Sequence, residues 1–189
     1  MTENIKFETA TISDIDGILK LQELYLVGNL SEEEKESGFV TTPFAVEQLT
    51  EVIQKLELFI AKDNTKIIAY VFAGSWEFFK QWPIFNYMST LLPELSFLHF
   101  DITTTQSFQY GPICIHKKYR GKGLLKPLFE FMRIHMLHKY PLALTFINKI
   151  NIPSTKAHTG KLKWTIIGDF KFNNNEYLIL AYNMTEVIT

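Results

Sequence analysis

The sequence has a single cysteine, Cys114, and no run that approaches about 20 consecutive apolar residues. One thiol cannot form an intrachain disulfide and does not complete the ligand set of a structural zinc site. The histidines at 116, 135 and 138 lack cysteine or carboxylate partners at metal-binding spacing, so we predict no metal. The amino terminus lacks the basic stretch and apolar run of a secretory signal. We therefore expect a soluble, cytoplasmic protein with no membrane partner.

Charge is segregated along the chain, although the net charge is only −1. Residues 1–110 contain 16 acidic against 7 basic side chains, whereas residues 111–163 contain 11 lysines or arginines and one glutamate. A basic block can bind nucleic acid, anionic lipid or a polyphosphate, or it can form a solvated helix face. Because no Arg-rich run or aromatic-interleaved RNA-binding signature is present, a compact polyanionic ligand is favoured over nucleic acid.

Hydrophobic periodicity predicts a single domain over residues 1–189 in which strands and helices are interspersed. The predicted strands are 5–9, 57–61, 66–73, 110–115, 142–147, 165–170 and 177–184. Four helices are predicted: one capped by Ser13, one that begins at Pro43, and two that span 123–138 and 154–162. Residues 76–109 form an aromatic stretch that is predicted to be irregular. This order is typical of an α/β or α+β fold with a mixed sheet and helices on both faces.

A turn with two glycines joins a predicted strand directly to a predicted helix. Ile113-Cys114-Ile115 leads through His116-Lys117-Lys118-Tyr119 to Arg120-Gly121-Lys122-Gly123, and the helix follows with Leu124-Leu125. Such a turn leaves backbone N–H groups unpaired at a helix N-terminus, where the helix dipole also favours an anion. The spacing is neither a P-loop nor the three-glycine dinucleotide fingerprint. The alternative interpretation is an ordinary strand-to-helix turn.

A second segment further along the chain reads Asn151-Ile152-Pro153-Ser154-Thr155-Lys156-Ala157-His158, followed by Lys161-Leu162-Lys163-Trp164. The first segment resembles the central motif of the general N-acetyltransferase (GNAT) superfamily, a hydrophobic strand followed by Arg/Gln-x-x-Gly-x-Gly/Ala. The second resembles that family's Asn-x-x-Ser/Ala-x-x-x-Tyr/His followed by Leu-Gly-Phe. Two positions depart from the pattern: Leu125 replaces the last small residue, and Lys163, preceded by one extra residue, replaces a glycine.

The resemblance implies a GNAT-like central sheet, mixed but mostly antiparallel, that splays at its fourth strand and has helices on both faces. It implies acetyl-CoA as co-substrate, with the turn at the pyrophosphate, the preceding strand along the pantetheine arm, and Asn151 and Ser154 near that arm. The residues that it assigns to the cofactor are Ile113, Cys114, Ile115, Arg120, Gly121, Lys122, Gly123, Leu124, Leu125, Asn151 and Ser154.

Catalytic residues are less clearly marked. His158 stands where the family often has a tyrosine that protonates the departing thiolate, but it can equally be a histidine packed against Trp164. The predicted strand at 142–147 lacks the carboxylate that some members use as base. The remaining candidate bases are Glu77, His99 and Asp101, each of which can instead be a solvated surface residue. Cys114 has two interpretations, an acyl-enzyme nucleophile or a small core residue, and the second is favoured because it lies between Ile113 and Ile115.

The sequence therefore predicts an N-acetyltransferase that moves an acetyl group directly from acetyl-CoA to a primary amine of a small molecule or peptide. The alternative is a catalytically degenerate, acyl-CoA-binding regulatory or partner protein, acting as monomer or homodimer. The aromatic stretch is either an acceptor pocket or a hydrophobic cluster that covers the sheet. If it is a pocket, the acidic amino-terminal half favours a cationic amine.

Overall fold

The computed structural model describes residues 4–188. Its β-strands are β1 Ile5–Thr9, β2 Leu58–Asp63, β3 Lys66–Gly74, β4 Ser107–Ile115, β5 Leu142–Asn148, β6 Thr165–Phe172 and β7 Asn175–Asn183. Its α-helices are α1 Ile15–Glu23, α2 Glu32–Lys35, α3 Val46–Gln54, α4 Trp76–Phe79, α5 Pro83–Leu91, α6 Leu125–Met136 and α7 Ile152–Lys156. Short 3-10 turns occur at Ile12–Asp14, Val27–Asn29, Leu92–Glu94 and Lys117–Tyr119, and a π-helical segment spans Ala157–Lys161.

The strands form a seven-stranded sheet in the order β1-β2-β3-β4-β5-β7-β6. β4 and β5 run parallel, whereas β1 with β2, β2 with β3, β5 with β7 and β6 with β7 are antiparallel. The predicted α/β fold with a mixed, mostly antiparallel sheet is therefore confirmed. The parallel ladder pairs only Ser107, Phe108 and Gln109 of β4 with β5, which fits a sheet that opens at its fourth strand.

By its contacts the chain divides into two compact units that interleave in sequence. The first comprises the residues through Ala73 together with Gly111–Arg133, and the second comprises Gly74–Tyr110 and the residues from Ile134 onward. β4 contributes its first half to the second unit and its second half to the first. A single functional domain over residues 1–189 stays a prediction.

In the first unit, α1 and α3 bury one face each, with Ile18, Leu49 and Val52 almost completely buried. The prediction that Ser13 caps the first helix is wrong. The helical turn begins at Ile12, and the Asp14 carboxylate accepts the Thr11 N–H at 2.9 Å. A short-range rule that prefers serine cannot distinguish these neighbouring polar side chains.

In the second unit, the first part of the aromatic stretch is largely helical, with α4, α5 and a 3-10 turn between residues 76 and 94, whereas residues 95–106 are irregular as predicted. The Ser75 hydroxyl accepts the Phe78 N–H at 3.2 Å and so caps α4, and Pro83 occupies the first turn of α5. Phe79 stacks on Phe85 at 4.5 Å, and Phe85 lies 4.9 Å from Phe146 of β5. The sequence of this stretch shows no helical periodicity because three of the four residues of α4 are apolar, so that no polar face contrasts with an apolar one. These aromatics form a hydrophobic cluster on the sheet, one of the two predicted alternatives.

The closing hairpin agrees closely with the sequence prediction. β6 and β7 pair from Thr165↔Ala181 to Phe172↔Asn175, and two asparagines with φ of 45° and 62°, Asn173 and Asn174, connect them. Asparagine tolerates this left-handed conformation better than most residues, which makes it suited to a two-residue hairpin turn.

Candidate functional site

The predicted cofactor residues occupy two segments, one in each compact unit. The second half of β4 and the glycine turn belong to the first unit, whereas Asn151, Ser154 and His158 belong to the second. Each segment has a distinct local geometry.

The glycine turn is held in a conformation that requires glycine at two places. After β4, His116 caps the short 3-10 turn by accepting the Lys118 N–H on Nδ1 at 3.2 Å. Gly121 and Gly123 follow with φ of +75° and +81°. A Cβ added at either glycine would meet no heavy atom within 4 Å. The glycine requirement is therefore conformational, and the space over the turn is open to a ligand.

The helix that follows the turn presents its N-terminus at this position. α6 begins at Leu125, and its first turn includes Pro127, which has no N–H to donate. The Leu128 N–H donates to the Leu124 carbonyl at 3.2 Å, so that the helical ladder begins there. The Leu125 N–H has no acceptor within the helix, as at every helix start. Leu125, which replaces the small residue of the motif, is half-buried.

Arg120 is bound to the protein's own backbone. Its Nε donates to the Ile115 carbonyl at 2.7 Å, and its Nη1 donates to the Ser37 carbonyl at 2.5 Å. The guanidinium carbon also lies 4.5 Å from the centroid of the Tyr25 ring. The arginine side chain thus fixes the segment between the end of β4 and Gly121 to the backbone at Ile115 and Ser37. The sequence motif does not reveal this role.

Positive charge surrounds the turn. Lys117, Lys118 and Lys122 are exposed. Burial lowers the pKa of His116, and the neighbouring cations Lys66, Lys118 and Arg120 lower it further. The contribution of these cations to the lowered pKa indicates a local field that disfavours added positive charge and favours an anion.

Cys114 is a buried member of β4. Burial raises the pKa of its thiol to about 12. Because only the thiolate is an effective nucleophile, a protonated, buried thiol is unsuited to forming an acyl-enzyme. Its neighbours Ile113 and Ile115 alternate with it and are half-buried.

In the second unit, Asn151 caps the helix that carries Ser154 and His158. The Asn151 Oδ1 accepts the Ser154 N–H at 3.3 Å, and Asn151 is itself buried. Ser154 in turn presents its backbone carbonyl to the His158 Nδ1 at 2.8 Å. The three predicted residues therefore form one continuous hydrogen-bonded series from the start of α7 into the π-helical segment that follows it.

His158 is neutral and almost completely buried, with 3% of its surface exposed. Burial lowers its pKa to about 4, against the weaker opposing effect of the Ser154 carbonyl. The contact to that carbonyl places the single ring proton on Nδ1, so that Nε2 is an acceptor, which has no hydrogen-bond partner among the described residues. Its ring lies edge-on to Tyr110 and Trp164, with centroids 5.5 and 5.9 Å away. This is the packed histidine of the second interpretation, and near neutral pH such a ring has no proton on Nε2 to donate.

The two departures at the end of this segment have visible consequences. The Leu162 N–H donates to the Ala157 carbonyl, five residues earlier, which makes Ala157–Lys161 a π-helical turn. A π-bulge accommodates one extra residue in a helix, as the longer spacing in the sequence requires. Lys163 then adopts φ of +58°, a left-handed conformation that glycine adopts without strain.

The three candidate bases lie on the surface of the second unit. Glu77 has 80% of its side chain exposed and its carboxylate lies 3.6 Å from the Lys80 ammonium. His99 and Asp101 are also exposed, and the His99 ring stacks on Phe100 at 4.5 Å. The structure thus brings none of them into a buried catalytic arrangement.

Two residues of interest carry no sequence signal. Gln109 is buried in β4, where its Nε2 donates to the Tyr110 carbonyl at 2.8 Å and its Oε1 has no partner in the described part of the chain. Tyr25 contacts the glycine turn across a sequence separation of 92 residues.

Within residues 4–188, no cluster of three or more His, Cys, Asp or Glu side chains could hold a metal ion. No helix in this range is long and apolar enough to span a membrane.

Comparison with known proteins identifies the fold. No protein-family model and no curated protein sequence matches the chain. Many solved structures match over nearly the whole length of both chains, among them the following three. The Salmonella typhimurium protein yncA with its cofactor acetyl-CoA is 11% identical, covers 98% of this chain and 97% of its own, and has a TM-score of 0.63. An apo mutant of agmatine N-acetyltransferase is 12% identical, with coverage of 95% and 99% and a TM-score of 0.63.

The Brucella melitensis ribosomal-protein-alanine N-acetyltransferase is 13% identical, with coverage of 94% and 99% and a TM-score of 0.60. At such low identity these similarities report the fold alone, which is the same in all three. The chain therefore has the fold of the GNAT superfamily of N-acetyltransferases, as its two sequence motifs predict.

Proposed function

We propose that the protein is a cytoplasmic N-acetyltransferase that transfers an acetyl group directly from acetyl-CoA to a primary amine. The observation that carries the proposal is the glycine turn: two left-handed glycines, open space above them and a cationic rim at the start of a 12-residue helix. A diphosphate fits this combination because the unpaired N–H groups and the helix dipole both favour negative charge. Acetyl-CoA carries such a diphosphate and supplies an activated thioester.

In this proposal the backbone of Gly121 to Leu125 binds the pyrophosphate, and exposed lysines such as Lys122 supply positive charge. Ile113, Cys114 and Ile115 provide the strand along which the pantetheine arm extends. Cys114 contributes through its backbone, since its thiol is buried and protonated. Asn151 and Ser154 shape the start of α7, the helix that the resemblance places beneath that arm.

The chemical step forms a bond between the amine nitrogen and the thioester carbonyl carbon and breaks the carbon–sulfur bond. The amine loses one proton and the departing thiolate gains one. Glu77, His99 and Asp101 remain the candidate proton acceptors. His158 is poorly suited to protonate the thiolate, because the imidazole is neutral and its one proton is directed at Ser154. We therefore assign the thiolate proton to solvent, and we assign His158 to the packing of α7 on β4.

The acceptor is proposed only as an amine. The structural neighbours include an enzyme named for the small molecule agmatine and one named for a ribosomal-protein alanine, so the fold serves both small and protein amines. The acidic balance of residues 1–110 favours a cationic amine among these.

A second candidate is an acyl-CoA-binding protein without catalytic activity. It is favoured by specific features, namely the neutral His158, the absence of a carboxylate in β5, and the positive φ at Lys163. Each of these departs from the catalytic pattern while the phosphate-binding turn is retained.

A thiol-release assay separates the two candidates. The full chain is incubated with acetyl-CoA and a panel of polyamines, small amines, amino-terminal peptides and acidic or neutral amines, and free CoA is measured. Release that depends on an amine supports the transferase, and preference for acidic or neutral amines would refute a cationic acceptor. Measured CoA binding without release across the panel would establish the non-catalytic alternative.

A further inference from the structure

One side chain of α1's carboxyl-terminal extension contacts the glycine turn at three points. The Tyr25 hydroxyl accepts the Lys117 N–H at 2.6 Å, and its ring lies 4.5 Å below the Arg120 guanidinium. The same ring lies edge-on to His116 at 6.1 Å. These three residues span the segment between the end of β4 and Gly121. All of these contacts lie within the first compact unit.

Tyr25 is itself fixed in position. Its backbone N–H donates to the Gln22 carbonyl at 3.0 Å, and its carbonyl accepts the Val40 N–H at 2.9 Å. Gln22 in turn exchanges two hydrogen bonds with the backbone of Phe44, at 2.9 and 3.1 Å. The tyrosine therefore projects from an ordered backbone rather than from a loose connector.

Arg120 completes the arrangement from the other side. Its two backbone contacts, to Ile115 and Ser37, direct the guanidinium at protein acceptors while its face rests on Tyr25. A cation that is stacked on an aromatic ring and doubly hydrogen-bonded is held in one geometry. The residue after it, Gly121, is the first of the two with left-handed backbone.

We propose that Tyr25 is a positioning residue of the phosphate-binding turn and that Tyr25 and Arg120 act as one unit. Together they hold the segment 115–120 in place, so that the amides of Gly121 to Leu125 are aligned before the ligand arrives. The inference rests on the proposed function, since it assumes that the turn binds a CoA diphosphate. A prearranged turn spares the ligand the entropic cost of ordering it.

The proposal divides the cationic residues of the turn into two roles. Arg120 stabilises the turn's conformation, whereas Lys122, which is exposed and lies with its Nζ 5.9 Å from the Tyr119 ring, meets the ligand's charge. An arginine in direct contact with phosphate and an arginine that positions the turn respond differently to the loss of Tyr25. That difference makes the inference testable.

The experiment measures affinity for CoA and for pantetheine, which is the same arm without phosphates, by calorimetry on the full chain. The single variants are Tyr25→Leu, Tyr25→Phe, Arg120→Met and Lys122→Met, and the double variants are Tyr25→Leu/Arg120→Met and Tyr25→Leu/Lys122→Met. Tyr87→Leu, which removes a partly exposed tyrosine from the second unit, is the matched control. Thermal unfolding of each variant reports whether it is folded at the temperature of the binding experiment.

We expect Tyr25→Leu to weaken CoA binding about tenfold, and Tyr25→Phe to weaken it about threefold because the ring remains. Pantetheine affinity should stay within about twofold of wild type, and Tyr87→Leu should change neither ligand. The double variant Tyr25→Leu/Arg120→Met should be no weaker than the worse single variant. Lys122→Met should combine additively with Tyr25→Leu, because its role is independent.

Two failures are distinguishable. A wild-type protein that binds no CoA overturns the proposed function and this inference with it. A wild-type protein that binds CoA while Tyr25→Leu binds equally well overturns the inference alone. Equal losses for CoA and pantetheine, or additive effects of Tyr25→Leu and Arg120→Met, also overturn it. If Tyr25→Leu is unfolded, the comparison of Tyr25→Phe with wild type decides by the same criteria.

Discussion

Replacement of His158 by glutamine should reduce the loss of stability that the protein undergoes in mild acid. The histidine has a pKa of about 4 in the folded state because it is fully buried, whereas an unfolded chain has an ordinary histidine pKa of about 6.5. Between these two pH values the unfolded state binds a proton that the folded state does not. The free energy of unfolding therefore falls as pH decreases from about 6.5 to 4, and His158 makes no pH-dependent contribution above that window.

The size of the effect follows from the shift. A difference of about 2.5 pH units at about 1.4 kcal/mol per unit gives roughly 3 kcal/mol lost from His158 alone across the window. Other groups titrate in the same range, so the informative quantity is the difference between wild type and His158→Gln. Glutamine carries no titrating proton and should lack this component at every pH.

Urea denaturation at several pH values between 4 and 7 measures the free energy of unfolding directly. The control is His138→Gln, which makes the same chemical change at an exposed position and should keep the wild-type slope. Parallel pH profiles for wild type and His158→Gln would refute the assignment of a neutral, buried imidazole. A ring that is protonated in the folded state, as a general acid requires, would give this parallel result.

Three further outcomes test other parts of the structure. Lys163→Gly should raise the free energy of unfolding by about 0.5–1 kcal/mol because it relieves a left-handed backbone. Lys161→Gly, in the π-helical turn, should lower it. Denaturant unfolding in which both variants shift in the same direction would contradict this. Gly123→Ala should lower the free energy of unfolding by about 1 kcal/mol because of its positive φ. Gly28→Ala, where the surroundings are equally open and φ is not positive, should lower it less. Thermal unfolding that ranks the two variants in the opposite order would contradict this. Cys114 should resist thiol reagents in the folded protein because burial keeps it protonated, and rapid modification without unfolding would argue against that.

Much of the fold could be predicted because its signals are local. The strand at Ile5–Thr9 and the two strands of the closing hairpin follow from hydrophobic periodicity. The glycine turn was predictable because left-handed backbone at Gly121 and Gly123 restricts the choice of residue. The extra residue before Lys163, visible in the sequence, corresponds to the π-helical turn in the structure.

What could not be predicted depends on contacts between distant residues. The helices α4 and α5 are apolar on several faces, so their sequence lacks a single hydrophobic stripe. The neutral state of His158 results from its enclosure beside Tyr110 and Trp164, which spacing alone does not reveal. The role of Arg120 depends on Tyr25 and Ser37, which are far away in the chain. A motif identifies the residue types of a turn, whereas its stabilising partners depend on the tertiary structure.

The central claim is that the glycine turn binds the phosphates of CoA. Calorimetric titration of CoA into wild type, Gly123→Val and Gly28→Val tests it most directly, because both glycines have open surroundings and only Gly123 has a positive φ. Wild type and Gly28→Val should bind CoA alike, whereas Gly123→Val, while still folded, should bind at least about tenfold more weakly. Equal binding by the two valine variants, or no binding by wild type, would contradict it.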